Sequence, residues 1–187
     1  MEKNRCSWCG NDPLYKEYHD TEWGVPVYDD DKLFEFLILE TFQAGLSWIT
    51  ILRKRENFRA AFDNFDYEKI ANYNEEKFNE LINNAGIVRN KLKIKATISN
   101  AVAFMEVQKE FGSFSKYIWS FTDGKPIKNK AKSLGEVPAT TELSDKISKD
   151  LKKRGFKFVG STVIYAHMQA TGMVNDHVID CFRYNEV

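Results

Sequence analysis

The sequence predicts an all-α protein, and three observations support this. Apolar residues recur at helical spacing along almost all of the 187 residues. Capping residues and glycines separate the helical segments, and alternating strand patterns are short and scarce. The composition, 43% hydrophobic and 14% aromatic, is typical of a globular chain with a full core. We therefore expect a single unit over residues 1–187, with no internal repeat.

The first half of the chain contains four predicted helices. Three aspartates at positions 29–31 can cap a helix that carries the apolar run LFEFLILETF. Ser47 can cap a second helix that reaches Phe62, and Asp66 and Asn74 begin two shorter ones. Each of these helices therefore has its own start signal.

The second half is predicted to be helix, loop and helix again. A helix of about six turns begins near Asn90, and a short one covers residues 113–121. Residues 122–141 contain few large apolar side chains, which indicates a long surface loop. Ser144 is then placed to cap a helix, and the final apolar helix ends at Gly172.

The charge balance excludes a protein that binds nucleic acid through net charge. The 27 Lys and Arg residues match the 27 Asp and Glu residues, so only a local basic face remains possible. No uncharged apolar run approaches the roughly 18 residues of a membrane span, and the start MEKNRCSWCGNDP lacks the apolar region of a secretory signal. Three cysteines are a poor disulfide framework, so we expect a cytoplasmic protein.

Cysteine and histidine residues near the two ends of the chain form a candidate metal site. His177 and Cys181 are four residues apart and would share one face of a helix. Together with Cys6 and His19 they would satisfy tetrahedral Zn²⁺ and close nearly the whole chain into one loop. Two alternatives stay open: these are ordinary thiols and surface histidines, or Cys6-x2-Cys9 is the zinc half-site. His167, on the final apolar helix, is interpreted as a core or pocket-edge histidine.

The segment LINNAGIVRNKLKIKATI predicts two helices joined by a tight turn at Gly86. Gly86 permits the positive φ that such a turn needs, and backbone N–H groups at the start of the second helix can bind a phosphate. The basic residues that follow are Arg89, Lys91, Lys93 and Lys95. A second basic cluster occupies residues 149–157. Both suit non-specific contacts with a DNA backbone, although a plain helical hairpin with solvated lysines is the alternative.

Aromatic residues gather around one unusual carboxylate. Glu40 follows three apolar residues near a predicted helix end, and a carboxylate among rings suits a flat, cationic or hydrogen-bonding ligand. Alternatively, the rings are core and Glu40 is a surface or capping residue. The aromatic candidates are Trp8, Tyr15, Tyr18, Trp23 and Trp48.

Four long strings carry a resemblance that spans nearly the whole chain: DPLYKEYHDTEWGVP, LETFQAGLSWITILRKRENFRAAF, KKRGFKFVGST and GMVNDHVIDC. The chain resembles the bacterial 3-methyladenine DNA glycosylase I family, within the helix-hairpin-helix glycosylase superfamily. The resemblance implies a helical body with a helix-hairpin-helix at about 75–105. It also implies a zinc-binding module that joins residues of about 1–25 to 165–187.

The resemblance also assigns roles to the candidate residues. Glu40 matches the carboxylate that hydrogen-bonds the extruded 3-methyladenine, which makes it the candidate catalytic residue, acting first by binding. Tyr18 and Trp48 match the rings that stack on the base, and Gly45 and Leu46 match the wedge pressed into the duplex. The hairpin around Gly86, with Arg89, would grip the backbone. The rest of the pocket would be Trp8, Tyr15 and Trp23, and the ligands of one structural zinc would be Cys6, His19, His177 and Cys181.

The resemblance therefore implies a monomeric base-excision repair enzyme that hydrolytically releases 3-methyladenine from alkylated double-stranded DNA. Asn90 stands where bifunctional relatives carry a Schiff-base lysine, so no lyase activity is expected. Leu92 and Phe42 depart from the family by standing where a small or polar residue is expected. Two alternatives remain: a glycosylase with a different range of alkylated bases, and a non-catalytic, zinc-stapled DNA-binding module.

Overall fold

The computed structural model describes residues 3–187, and their fold is mostly helical. Helices surround a central one, and the two ends of the chain meet on one side. The helices are α1 Pro13–Thr21, α2 Asp30–Gln43, α3 Trp48–Ala61, α4 Tyr67–Ile70, α5 Glu75–Asn83, α6 Lys91–Phe111, α7 Phe114–Trp119, α8 Glu142–Lys153 and α9 Ser161–Ala170. The hairpin predicted at about 75–105 covers α5 and the first part of α6.

A minimal parallel sheet accompanies the helices. Strand β1 (Ile127–Lys128) pairs with β2 (Val174–Asn175), with Ile127 opposite Val174 and Lys128 opposite Asn175. The segment 122–141, predicted to be a surface loop, is therefore anchored at β1. Two-residue strands leave no alternating pattern in a sequence, which is why sequence reasoning did not find them.

Side-chain caps begin most of the helices where the sequence predicted them. The Asp29 carboxylate accepts a hydrogen bond from the Lys32 backbone N–H at 3.0 Å, and Asp66, Asn74 and Asn90 cap α4, α5 and α6. The prediction for α8 is wrong by one turn. Thr141 is the N-cap, and Ser144 lies three residues inside the helix as the reciprocal partner of a capping box.

Helix α2 is the centre of the molecule. It packs against α3, α6, α7 and α9, and all residues from 36 to 42 are buried. Phe42, one of the two departures from the family, fills the core beside Phe58 at a ring distance of 4.9 Å. Leu92, the other departure, is 67% exposed at the start of α6. A carboxylate on α2 near its C-terminal end is thus buried within the protein.

No helix in the part of the chain that the structure describes combines the length and the apolar character needed to span a bilayer.

Candidate functional site

A cavity of about 460 Å³ lies between α1, the C-terminal end of α2, the start of α3 and the two ends of the chain. Its volume falls within the roughly 300–1,000 Å³ of small-molecule sites. All six residues predicted to form a base pocket line this one cavity. They are Trp8, Tyr15, Tyr18, Trp23, Glu40 and Trp48.

Glu40 is a buried carboxylate that lacks a protein partner. Its side chain is on α2 and only 4% of the residue is exposed. Within residues 3–187 its carboxylate makes no hydrogen bond and no ion pair. Burial alone raises the pKa of Glu40 to about 8. A buried polar group without a partner is costly, so the arrangement is suited to a ligand that supplies the partner.

Edge-to-face rings form the walls of the cavity. The Trp8 ring lies 5.0 Å from Tyr15 and 4.9 Å from Trp23, and Tyr18 lies 5.5 Å from Trp48 at an angle of 44°. The indole N–H groups of Trp8 and Trp48 are buried and have no acceptor among residues 3–187. The cavity therefore offers flat apolar faces together with one unused carboxylate, which suits a planar heterocycle.

Sequence reasoning missed several residues of the cavity wall. Gln43 lies one helical turn after Glu40 and could have been found by its i+3 spacing. Lys132 and Leu134, from the segment predicted to be a surface loop, gave no signal because contacts with distant residues hold that segment, namely the pairing of β1 with β2 and the hydrogen bond from the Ile179 N–H to the Ala131 carbonyl. Gln169 and Asp176 come from α9 and from the residue after β2.

Asp176 contrasts with Glu40 although both are buried carboxylates in the same wall. Asp176 accepts hydrogen bonds from Tyr165 Oη at 2.6 Å and Gln169 Nε2 at 2.8 Å. Asn129 Nδ2 donates to its other oxygen at 2.6 Å. Asp176 is thus fully occupied by protein donors, which leaves Glu40 as the carboxylate open to a ligand.

The four predicted metal ligands form a single buried cluster. Cys6 precedes a short 3₁₀ turn, His19 is on α1, His177 follows β2, and Cys181 precedes the last 3₁₀ turn. Their ligand atoms all lie within 4.8 Å of one another. The expectation that His177 and Cys181 share a helix face is wrong. They lie in an irregular turn closed by the Cys181 N–H and the Val178 carbonyl at 2.8 Å.

The hydrogen bonds around the cluster fit a zinc ion. His19 Nδ1 donates to Asp20 Oδ1 at 2.8 Å, and His177 Nε2 donates to the Trp23 carbonyl at 3.0 Å. These bonds leave the other nitrogen of each imidazole as an acceptor near the sulfurs, at 3.4 Å from Cys181 for His19 and 3.5 Å for His177. The Cys6 backbone N–H donates to that nitrogen of His19 at 3.2 Å. Two thiolates and two neutral imidazoles are a standard tetrahedral zinc set.

The sulfur atoms are also arranged for a cation. A hydrogen bond with Cys181, reinforced by burial, raises the pKa of Cys6, and the same bond lowers the pKa of Cys181. The two sulfurs therefore lie close enough for one divalent cation to contact both. Cys9 is outside the cluster and donates to the Cys6 carbonyl at 3.1 Å, which disfavours the Cys6-x2-Cys9 half-site. His167 is buried in the core, as predicted, beside the Leu33 carbonyl at 3.1 Å, and burial lowers its pKa to about 4.

The predicted wedge residues form a tight turn after α2. Gly45 has a φ of +83°, a left-handed conformation that favours glycine. Leu46 is 39% exposed at the tip. The turn lies next to the cavity, because Gln43, where it starts, lines that cavity. It thus presents an apolar side chain to solvent beside the aromatic pocket.

The turn between α5 and α6 differs from the prediction in two ways. Gly86 does not adopt positive φ. Space is tight at Gly86 instead, because a Cβ would lie 3.0 Å from Asn84 Oδ1 and 3.2 Å from the Asn57 side chain, which would have to shift by a few tenths of an ångström. In addition, Asn90 Oδ1 accepts the N–H groups of Leu92 and Lys93, each at 3.1 Å. This cap therefore uses two of the N–H groups predicted to bind phosphate.

Not all of the predicted basic residues are exposed and free of ion pairs. Arg89, Lys91 and Lys95 are exposed, but Lys93 is buried and donates to two backbone carbonyls after α2. In the cluster at 149–157, Arg154 is ion-paired with Glu110 and Asp150. The local positive charge available to a phosphate is therefore smaller than the sequence suggested.

Comparison with known proteins gives consistent matches over nearly the whole chain. Residues 8–184 match the family model described as methyladenine glycosylase. The chain is 52% identical to DNA-3-methyladenine glycosylase 1 of Escherichia coli strain K12 over 180 residues, which cover 96% of each protein. It is 48% identical to DNA-3-methyladenine glycosylase of Haemophilus influenzae, over 95% of this chain and 96% of that one.

Solved structures agree with the sequence comparison. A structure described as the structural basis of 3-methyladenine recognition by 3-methyladenine DNA glycosylase I from Staphylococcus aureus superposes with a TM-score of 0.93. It is 36% identical in sequence and covers 97% of both chains. The similarity in fold thus extends over nearly the whole chain.

Proposed function

The chain belongs to the methyladenine glycosylase family, and from that membership we propose that it is a DNA repair enzyme that extrudes 3-methyladenine from alkylated DNA and hydrolyses its N-glycosidic bond. The observation that carries the proposal is Glu40, a buried carboxylate without a protein partner in an aromatic cavity. A module that only held the DNA backbone would need neither feature.

The positive charge of 3-methyladenine in DNA explains why the pocket contains a carboxylate without a protein partner. Methylation at N3 makes the base cationic while it is attached to the sugar, whereas adenine is neutral. Burial raises the pKa of Glu40 to about 8, so an ionised Glu40 is unfavourable until a positive charge enters the cavity. A cationic base offsets that cost and a neutral one does not. Tyr18 and Trp48 stack on the base, and Trp8, Tyr15 and Trp23 complete the cage.

The positive charge also simplifies the reaction. When the N-glycosidic bond breaks, its electron pair returns to the base, which leaves as a neutral molecule without a general acid. Water adds at C1′ of the sugar and loses a proton, which leaves an abasic site. Glu40 binds the lesion and holds it while positive charge develops on the sugar. No other catalytic group is required by this scheme.

The base must leave the duplex before it can reach the cavity. Gly45 and Leu46 form the wedge that fills the gap, because Leu46 is the exposed apolar tip beside the pocket. Helices α5 and α6 form a helix-hairpin-helix, in which the segment around Gly86 and the exposed Arg89 contact the backbone. The partner is double-stranded DNA, and one chain acts as a monomer.

The terminal module has a structural role in this proposal. Cys6, His19, His177 and Cys181 hold one Zn²⁺, which supplies a rigid link between the two ends of the chain and takes no part in the reaction. All three cysteines are free thiols, and a thiolate site of this kind requires reducing conditions. We therefore place the protein in the cytoplasm.

The test is chromatography of the bases released from methylated duplex DNA by the purified protein. We expect free 3-methyladenine in excess over 7-methylguanine and 3-methylguanine. Comparable release of the guanines would indicate a glycosylase with a different range of alkylated bases. No release by folded, zinc-loaded protein that still binds DNA would indicate the non-catalytic module.

A further inference from the structure

Lys93 is a buried cation that the proposed reaction does not use. We propose that it is a positioning residue, whose ammonium group locks the wedge turn at residues 43–46 to the backbone-gripping hairpin at residues 84–90. The two DNA-contacting segments then act as one rigid body. The inference rests on the proposed function, since it assigns Lys93 a role in the extrusion of the base.

The geometry of Lys93 is that of a clamp. The residue is 6% exposed, and its Nζ donates to the Phe42 carbonyl at 2.9 Å and to the Ala44 carbonyl at 2.8 Å. The last carbonyls of a helix have no partners within the helix, and the C-terminal end of a helix attracts positive charge. Lys93 thus satisfies two carbonyls where α2 ends and the wedge turn begins.

The turn itself is closed by its own residues. The Leu46 N–H donates to the Gln43 carbonyl at 2.7 Å, and Gln43 Nε2 donates to the Leu46 carbonyl at 2.9 Å. With Lys93 on the carbonyls of residues 42 and 44, the backbone of the turn is held from both sides. The part left to project is the Leu46 side chain, which is the shape that a wedge requires.

A second lysine makes the same connection in the opposite direction. Lys54, on the helix that follows the wedge turn, donates from Nζ to the carbonyls of Ala85 and Gly86, each at 3.3 Å. Lys93, on the helix that follows the hairpin, reaches the wedge turn. Each segment is therefore held by a lysine from the helix next to the other, and Asn57 packs closely against Gly86 between them.

Stability alone does not account for a charge at this position. Burying an ammonium group costs desolvation, and burial lowers the pKa of Lys93. An apolar side chain of similar length would avoid that cost, although it would leave the Phe42 and Ala44 carbonyls without this donor. The ammonium group fixes the positions of two specific carbonyls, and it thereby sets the angle at which Leu46 projects.

The clamp predicts a specific kinetic defect when Lys93 is replaced. If Lys93 acts through the wedge, its loss slows the steps in which a paired base is pushed from the stack. Binding of the free base in the cavity does not involve the wedge and is unchanged. A lesion that is already unpaired needs less help to leave the stack, so the defect shrinks on such a substrate.

The experiment compares wild type, Lys93→Met and Lys109→Met in single-turnover release of 3-methyladenine. Lys109, at the far end of the same helix, is exposed and paired with Glu106, so its variant controls for the loss of one charge. The lesion is placed opposite thymine in one duplex and in an unpaired bulge in the other. We expect Lys93→Met to lose about tenfold to a hundredfold on the paired lesion, and much less in the bulge. Affinity for free 3-methyladenine stays at the wild-type value.

A double-mutant cycle tests whether Lys93 acts through Leu46. On a Leu46→Ala background, Lys93→Met is expected to add little further loss, since coupled residues are not additive. Lys54→Met, at a half-buried residue, gives the same contrast at smaller size and serves if Lys93→Met does not fold. Equal losses on paired and bulged lesions, or additive losses with Leu46→Ala, would overturn the clamp. Absence of release by wild type on both duplexes would instead overturn the proposed function, and the clamp with it.

Discussion

Glu40 and Asp176 show how residues of the same charge serve different ends within one cavity. Asp176 accepts three hydrogen bonds from protein donors, whereas the Glu40 carboxylate is buried without a partner among the described residues. The first is a structural group, and in the proposed function the second is the group that binds the base. At the scale of the residue, we therefore attribute selectivity for a cationic base to one carboxylate that has no protein partner.

The unsatisfied carboxylate predicts a pH-dependent cost in stability. Burial raises the pKa of Glu40 from 4.5 to about 8. Below about pH 4.5 the group is protonated in both folded and unfolded states. As pH rises toward 8, only the unfolded state ionises, so the free energy of unfolding falls by up to about 1.4 kcal/mol per pH unit. The Glu40→Gln variant does not titrate, and its thermal midpoint relative to wild type should therefore rise between pH 5 and pH 8.

Thermal unfolding followed by fluorescence at several pH values checks this prediction. The control is Glu106→Gln, which changes an exposed glutamate on α6 and is expected to differ little from wild type at every pH. A constant difference between Glu40→Gln and wild type across the range would mean that Glu40 is solvated, contrary to the site described above.

At the scale of the element, local sequence signals predicted where the helices begin but not which elements contact one another. Asp66 and Asn74 cap helices as predicted because a cap depends on residues within one turn. Ser47 stands at the predicted start of α3, but its side chain makes no capping hydrogen bond. The burial of Lys93 could not be predicted, since a lysine in the run RNKLKIK looks the same whether its partner is water or a distant carbonyl. The approach of residues 132–134 to the cavity likewise depends on pairing across nearly fifty residues.

The start of α6 also predicts that the enzyme does not cleave the DNA strand. Asn90 stands where bifunctional relatives carry the Schiff-base lysine, and its side chain caps that helix. Lys93 is held by two carbonyls. A strand-cleaving glycosylase needs a lysine amine free to form a Schiff base with the sugar. We therefore expect no covalent protein–DNA adduct when the reaction is run in sodium borohydride. A trapped band on a denaturing gel would contradict this assignment.

At the scale of the whole molecule, the chain is closed by contacts between its two ends. The Phe182 N–H donates to the Asn4 carbonyl at 2.9 Å, and Asn4 Nδ2 donates to the Asp180 carbonyl at 2.7 Å. The Cys6, His19, His177 and Cys181 cluster lies beside these bonds. The sequence alone indicated this cluster through residue types and the His-x3-Cys spacing, although the helix inferred from that spacing is absent.

The cluster that links the two ends predicts about one zinc ion per chain and a large loss of stability when a ligand is removed. Cys181→Ser should release the metal and lower the thermal midpoint, because a metal that links distant segments stabilises the folded state. The matched control is Cys9→Ser, since Cys9 is a buried thiol outside the cluster and its variant should keep the zinc. Elemental analysis with thermal unfolding makes the comparison, and an active protein that contains no metal would refute it.

The central claim is that Glu40, in its aromatic cavity, selects and holds the base whose glycosidic bond is broken. The most direct test is chromatography of the bases released from methylated duplex DNA by wild type and by Glu40→Gln, with both variants folded and zinc-loaded. We predict free 3-methyladenine from wild type and a reduction of about tenfold or more from the variant. Equal release by the two proteins would contradict the claim.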